Sequence, residues 1–133
     1  MNMAVQTPRT GDEQIEDEIV RKGKTAPRVT PADIEAAIMS EHYFTAADGV
    51  AGANPVDQAD SSLPWATLGL LTFCTLVLRN GFTVTGESAC ASAENFDEAI
   101  GRKIARQNAV AKIWPLEGYL LKQRLHNDAQ DGA

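Results

Sequence analysis

Two groups of side chains suited to holding a phosphate or a polar partner fall close together in the second half of the chain. Thr83, Thr85 and Glu87 alternate along FTVTGE, and Arg102, Lys103 and Arg106 follow in one helical pattern. Hydroxyls, a carboxylate and guanidinium groups on adjacent elements can form charge-assisted hydrogen bonds to a phosphate or to a polar protein surface. Trp114 and Tyr119 come next. Their rings can stack on a base, although aromatics at helical spacing more often serve a core. These eight residues are the candidate ligand- or partner-binding set. The plainer account of the basic trio is a solvated helix face coated with Lys and Arg.

Sets that would support catalysis are not legible. The sequence has no phosphate-binding Gly-Lys loop, no dinucleotide fingerprint and no zinc-protease helix motif. Ser88 in GESAC approaches the nucleophile-elbow pattern, but Cys90 stands where the second glycine belongs. Cys90 precedes a helix start, a position that suits a thiol nucleophile. A nucleophile still needs a base, and His42 is the one candidate within the expected core. Cys74 sits in an apolar run and reads as a small buried hydrophobe. His42 and His126 lie on separate elements and make no metal site. The expectation is a non-enzyme with no catalytic residue, no metal and no cofactor.

Composition narrows the class. A chain of 133 residues with 44% apolar content suffices for one folded core. Lys and Arg total 12 against 18 Asp and Glu, a net charge of −6, which argues against general nucleic-acid binding. The charge is uneven: residues 29–91 hold one base, Arg79, among seven acids, whereas 92–125 carry a net +2. A local basic patch still attracts an anion, because screening confines charge effects to roughly 8–10 Å. Two cysteines are too few for a disulfide framework. The N-terminus lacks a signal-peptide core, and the longest apolar run, Leu63–Leu78, falls short of the ~20 residues of a membrane span. These features predict a cytoplasmic protein with no membrane contact.

The pattern predicts a mostly α fold, a compact bundle of three to four helices around a buried apolar helix, with one short extended segment. Residues 1–28 read as a flexible N-terminal arm in which Asp12–Lys22 can form a marginal helix. A single helical domain then spans 29–125, and 126–133 reads as a disordered tail. Thr30, Pro31 and Asp33 open a helix, TPADIEAAIMSEHYF, with Ile34, Ala37 and Ile38 on its apolar face. Thr45–Ser62 reads as a long loop. Leu63–Leu78 reads as the central buried helix, stopped by Arg79-Asn80-Gly81. Phe82–Glu87 is the extended segment. Asn95 and Glu98 suggest a capping box for a last helix that buries Phe96, Ile100, Ile104, Ala105 and Ala111 and ends or kinks at Pro115. The buried helix needs partners on several sides, so a homodimer is plausible.

The runs SEHYFTAADGV and LLTFCTLVLRNGFTVTGESACASAENFDEAIGRKIARQNAVAKIWPLEGYLL resemble a family of small tailed-phage proteins. It is the family named for gene products 49 and 66 of two enterobacterial phages. The resemblance covers roughly Pro31–Leu125, and the N-terminal arm and the Thr45–Ser62 loop depart from it. It implies a phage or prophage accessory protein with no assigned activity. Its motif positions include Gly81, Thr83, Thr85, Glu87, Asn95, Arg102, Lys103, Arg106, Trp114 and Tyr119. The leading expectation is a protein that binds a host or phage protein in the cytoplasm of an infected or lysogenic bacterium, for host takeover or counter-defence. The alternative is a sponge that sequesters a phosphorylated nucleotide immune signal on the Arg/Lys helix face.

Overall fold

The computed structural model describes residues 11–53 and 62–132. Helix α1 spans Gly11–Arg21, α2 Pro31–Ala37, and strand β1 Ile38–Thr45. Helices α3 (Ala46–Ala53) and α4 (Trp65–Leu68) lead to strands β2 (Leu71–Leu78) and β3 (Thr83–Ala89). After a 3-10 turn at Ala93–Asn95, helix α5 runs from Glu98 to Asp131. The strands form an antiparallel sheet in the order β1-β2-β3, and α5 lies across β2 and β3. The chain is therefore α+β. The expected helical bundle around a buried apolar helix does not form.

The correction rests on LTFCTLVL. These eight residues alternate half-buried and buried, with Thr72, Cys74, Leu76 and Leu78 turned inward. That is the strand period of two, carried by β-branched and aromatic residues that suit a pleated surface. Only Trp65–Leu68 of the expected helix is helical, and Gly69 caps it. The same ambiguity splits TPADIEAAIMSEHYF. Ile34 is buried and Ala37 and Ile38 pack against the core, so a continuous helix and a helix-plus-strand both bury them. The structure turns extended at Ile38 (φ −86, ψ 120). Arg79 then closes the open end of α2: its backbone N–H donates to the Ala37 carbonyl at 3.0 Å, and its Nε donates to the Ala36 carbonyl.

Local signals set the other boundaries. The Thr30 hydroxyl accepts the Asp33 N–H and the Asp33 carboxylate accepts the Thr30 N–H, a complete capping box. Thr45 and Asp48 repeat this arrangement and start α3 inside the expected loop. Arg79-Asn80-Gly81 is a hairpin tip rather than a helix stop. Gly81 adopts φ 90°, its N–H donates to the Leu78 carbonyl, and the Leu78 N–H donates to the Phe82 carbonyl, both at 2.8 Å. A three-residue hairpin loop needs that left-handed position, and glycine fills it without strain. The last helix is capped by Asp97, which accepts the Ile100 N–H, and Asn95 sits in the preceding turn. Pro115 lies inside α5 without ending it. Its missing N–H leaves the Ala111 carbonyl without that intrahelical partner, and both residues are exposed to solvent.

The stretch Asp12–Lys22 coincides with α1, which docks through a two-pronged Arg28–Glu16 ion pair and a Trp114–Asp12 hydrogen bond. Residues 126–131, within the expected tail, are the last turns of α5. Residues 1–10 of the expected arm, 54–61 of the expected loop and Ala133 lie outside the described residues.

The core sits between the sheet and α5. Helix α5 turns Gly101, Ala105, Ala109 and Ile113 toward the strands, a four-residue spacing that makes one stripe. The expected Ile100, Ile104 and Ala111 are exposed instead. Small residues are required because Gly86 of β3 meets the helix backbone directly. A Cβ at Gly86 would stand 2.2 Å from the Ala105 carbonyl oxygen and 2.3 Å from the Ala109 nitrogen. Gly101 likewise leaves room for Thr72, whose Oγ1 would lie 3.1 Å from a Cβ there. The Thr72 hydroxyl is buried and has no hydrogen-bond partner among the described residues.

Two outcomes follow for denaturant unfolding. Gly86→Val should lower stability by at least about 3 kcal/mol, above the ordinary overpacking range, because backbone and not a side-chain tip must move. Thr72→Val should raise stability by about 1 kcal/mol, because it removes an unpartnered hydroxyl at nearly constant volume. A Gly86→Val protein as stable as the parent would refute the close approach.

Candidate functional site

Adjacent strand positions point to opposite faces of the sheet, so register sorts the residues. Glu41, Tyr43 and Thr45 pair with Leu76, Cys74 and Thr72, which pair in turn with Val84, Gly86 and Ser88. These rows lie under α5. The opposite face carries Ser40–Val77–Thr83, His42–Thr75–Thr85 and Phe44–Phe73–Glu87. On it His42, Phe44, Thr83, Thr85 and Glu87 are exposed, and Ser40, Phe73, Thr75 and Val77 are half-buried. Among the described residues no second layer seals this face. Phe44 and Phe73 stack with ring centroids 5.4 Å apart, and the Ser40 hydroxyl lies 3.0 Å from His42 Nε2. The result is an open strand face of hydroxyls, Val77, one aromatic pair, one imidazole and one carboxylate.

The eight candidate residues do not converge. Thr83, Thr85 and Glu87 share the open face, while Arg102, Lys103 and Arg106 ride on α5 over the other face. Arg106 is committed to protein carboxylates. Its Nε donates to Glu41 at 2.9 Å, and its two terminal nitrogens donate to Glu35 at 2.8 and 3.2 Å. The Glu35 hydrogen bond is the main cause that raises the Arg106 pKa further above its ordinary value. Arg102 pairs with Glu98 at 2.6 Å and holds its guanidinium 5.4 Å from the Tyr43 ring centre. Lys103 is exposed. A bound anion would have to displace Glu35 and Glu41 from Arg106, so that helix face is a joint between α5, α2 and β1. Trp114 is half-buried against α1, with its Nε1 donating to Asp12 at 3.0 Å.

Tyr119 stands apart on the far end of α5. It lines a cleft of about 660 Å³ between that end, α2 and the β2–β3 hairpin tip. Arg79, Phe82, Leu116, Glu117, Leu120 and Arg124 share the lining. None of these six figures in the sequence-derived set. Nor do His42, Phe44 and Phe73, whose alternation along IMSEHYFT and LTFCTLVL was the signal for the open face.

Cys90 does not meet a base. Its Sγ donates to the Ser92 carbonyl, and its N–H bonds to Leu70. His42 lies on β1, opposite Thr75, and Cys90 follows β3, so one intervening strand and about 16 Å along the strand direction separate the pair. Both cysteines are free thiols. Among the described residues no group of three or more His, Cys, Asp or Glu is arranged to hold a metal. None of the described helices is long and apolar enough to cross a membrane.

Beneath Arg102, burial pushes the Tyr43 phenol from its ordinary 10.0 up to about 12, and burial also raises the thiol of its register partner Cys74. The unfolded chain therefore gives up the Tyr43 proton first as pH rises. Folding stability should fall across the window from 10.0 to about 12. Tyr43→Phe should flatten that fall in a stability–pH profile measured by urea unfolding; identical slopes for parent and variant would refute the assignment.

The model of the Phage protein (N4 Gp49/phage Sf6 gene 66) family matches residues 29–125, from the entry to α2 through most of α5. No curated protein and no solved structure matches the chain. The matched stretch contains the whole sheet, the Gly86 contact, the Arg106 joint and every residue of the open face. With well over half of its 133 residues matched, the chain belongs to the Phage protein (N4 Gp49/phage Sf6 gene 66) family.

Proposed function

We propose that this phage-family chain is a non-enzymatic accessory protein that binds a host or phage protein on the open face of its sheet. The observation that carries this reading is the exposure of His42, Phe44, Thr83, Thr85 and Glu87 on a face with no covering layer among the described residues. Small ligands are held in concave sites, whereas an exposed strand face of aromatic and hydroxyl groups suits a protein surface. The one carboxylate on this face, Glu87, favours a basic group at the matching point of the partner. Separation of Cys90 from His42 supports binding over catalysis. The protein then acts inside the infected or lysogenic bacterium, in host takeover or counter-defence.

A second reading keeps the nucleotide sponge but moves it. Arg102 and Arg106 are engaged by carboxylates, while Arg79, Arg124, Phe82 and Tyr119 line the cleft of about 660 Å³. Guanidinium groups beside aromatic rings suit a phosphorylated nucleotide.

The two readings separate in one experiment. Purified protein is incubated with host-cell extract, washed and denatured, and both small molecules and proteins are identified by mass spectrometry. The first reading expects one stoichiometric protein, bound at least about tenfold more weakly by Thr85→Arg and unaffected by Lys103→Ala. A released nucleotide with no protein would transfer the function to the cleft. Equal capture by parent and Thr85→Arg would remove the open face from consideration.

A further inference from the structure

The last fully buried residue of α5 is Ile113, and the helix continues to Asp131, roughly five more turns or about 27 Å. The face that α5 buries upstream continues along this extension as Leu116, Glu117, Leu120, Leu121 and Arg124, all of which line the cleft. The sheet has ended by then. Leu120 is 53% exposed, Tyr119 71%, and Phe82 on the facing hairpin 56%. An isolated helix end that is apolar on one face gains stability only when that face is covered.

The charges on this face point to what covers it. Glu117 and Arg124 are seven positions apart, two helical turns, with Leu120 and Leu121 between them. That arrangement is complementary to its own reverse. When two such helices pack antiparallel about a point between Leu120 and Leu121, Glu117 of one copy meets Arg124 of the other, and the reverse pair forms at the same time. A parallel, in-register pairing would instead set Glu117 against Glu117. The same antiparallel placement carries Asp128 of the second copy toward the hairpin end of the cleft. Arg79 lies there, with its Nε on the Ala36 carbonyl and in no ion pair among the described residues.

We propose that the extension of α5 is an interface between two copies of this chain, packed antiparallel across a twofold axis at Leu120–Leu121. The contact is isologous, as twofold symmetry requires. It buries Leu116, Leu120 and Leu121 from both copies and closes the outer side of both clefts. It leaves the open sheet faces free and does not depend on what binds there.

The test is the mass of the full 133-residue chain in solution, by sedimentation velocity and light scattering over a concentration series. The parent should sediment as a dimer of the 14.3 kDa chain. Glu117→Arg and Arg124→Glu should each weaken association by at least about tenfold, because each sets like charges against one another. The double variant, Glu117→Arg with Arg124→Glu, exchanges the signs and should restore the dimer. Far-ultraviolet circular dichroism of each variant separates loss of association from loss of fold. A parent that stays monomeric at about 100 µM, far above the Kd of a specific interface, overturns the proposal. Native mass spectrometry of that monomer then reports whether a nucleotide or a peptide occupies the cleft instead. Single variants that dimerise like the parent, or a double variant that stays monomeric, overturn it equally.

Discussion

Helix α5 can lie on the sheet only because residue 86 has no side chain. The Ala105 carbonyl and the Ala109 amide come so close to Gly86 that a Cβ would overlap both. Everything inward of the helix follows from this approach. It brings the stripe of Gly101, Ala105, Ala109 and Ile113 down onto Thr72, Cys74, Leu76 and Val84, and it makes small residues the right ones on α5. Larger side chains such as Ile100 and Ile104 turn away to solvent. A stripe of glycine and alanine buries little area per residue, so the core gains its density from short distances rather than from large side chains. The unpartnered Thr72 hydroxyl belongs to the same compromise: Gly101 leaves space for it but offers no acceptor.

Polar contacts fix the orientation that the apolar stripe leaves free. A stripe of small residues can slide or rotate on a sheet at low cost, because it has few knobs. Arg106 removes that freedom by gripping Glu35 on α2 and Glu41 on β1 together. Asn108, on the other flank of the helix, donates to the Glu87 carbonyl at 2.7 Å. The helix is thus held from both sides, on β1 and on β3. These pairs are partly solvated, so each contributes modestly to stability; their stronger effect is to select one angle and one register.

The sequence carried the ends of elements better than their type. Thr30-Pro-Ala-Asp33 marked the start of α2, Gly81 marked a left-handed position, and FTVTGE was extended as its alternation implied. The central error, a helix over Leu63–Leu78, came from length and leucine content outweighing the alternation inside LTFCTLVL. Ile34, Ala37 and Ile38 were compatible with two conformations and so could not decide between them. The family was legible because long runs of the chain carry its pattern. The candidate site was less so: Thr83, Thr85 and Glu87 do share a face, but the arginines thought to join them lie across the sheet. Which face of a strand meets which face of a helix depends on Gly86, and a glycine in GESAC does not announce a helix packed on its backbone.

The element that covers the sheet is made after all three of its strands. Strands β2 and β3 pair as a hairpin, and local pairing of this kind forms early, whereas β1 joins them from at least 27 positions upstream. Their inner face, with Cys74 and Leu76 fully buried in the final fold, has no cover until the chain has been synthesised past Ile113. Synthesis proceeds at roughly 5–20 residues per second, so the strands wait uncovered for a matter of seconds.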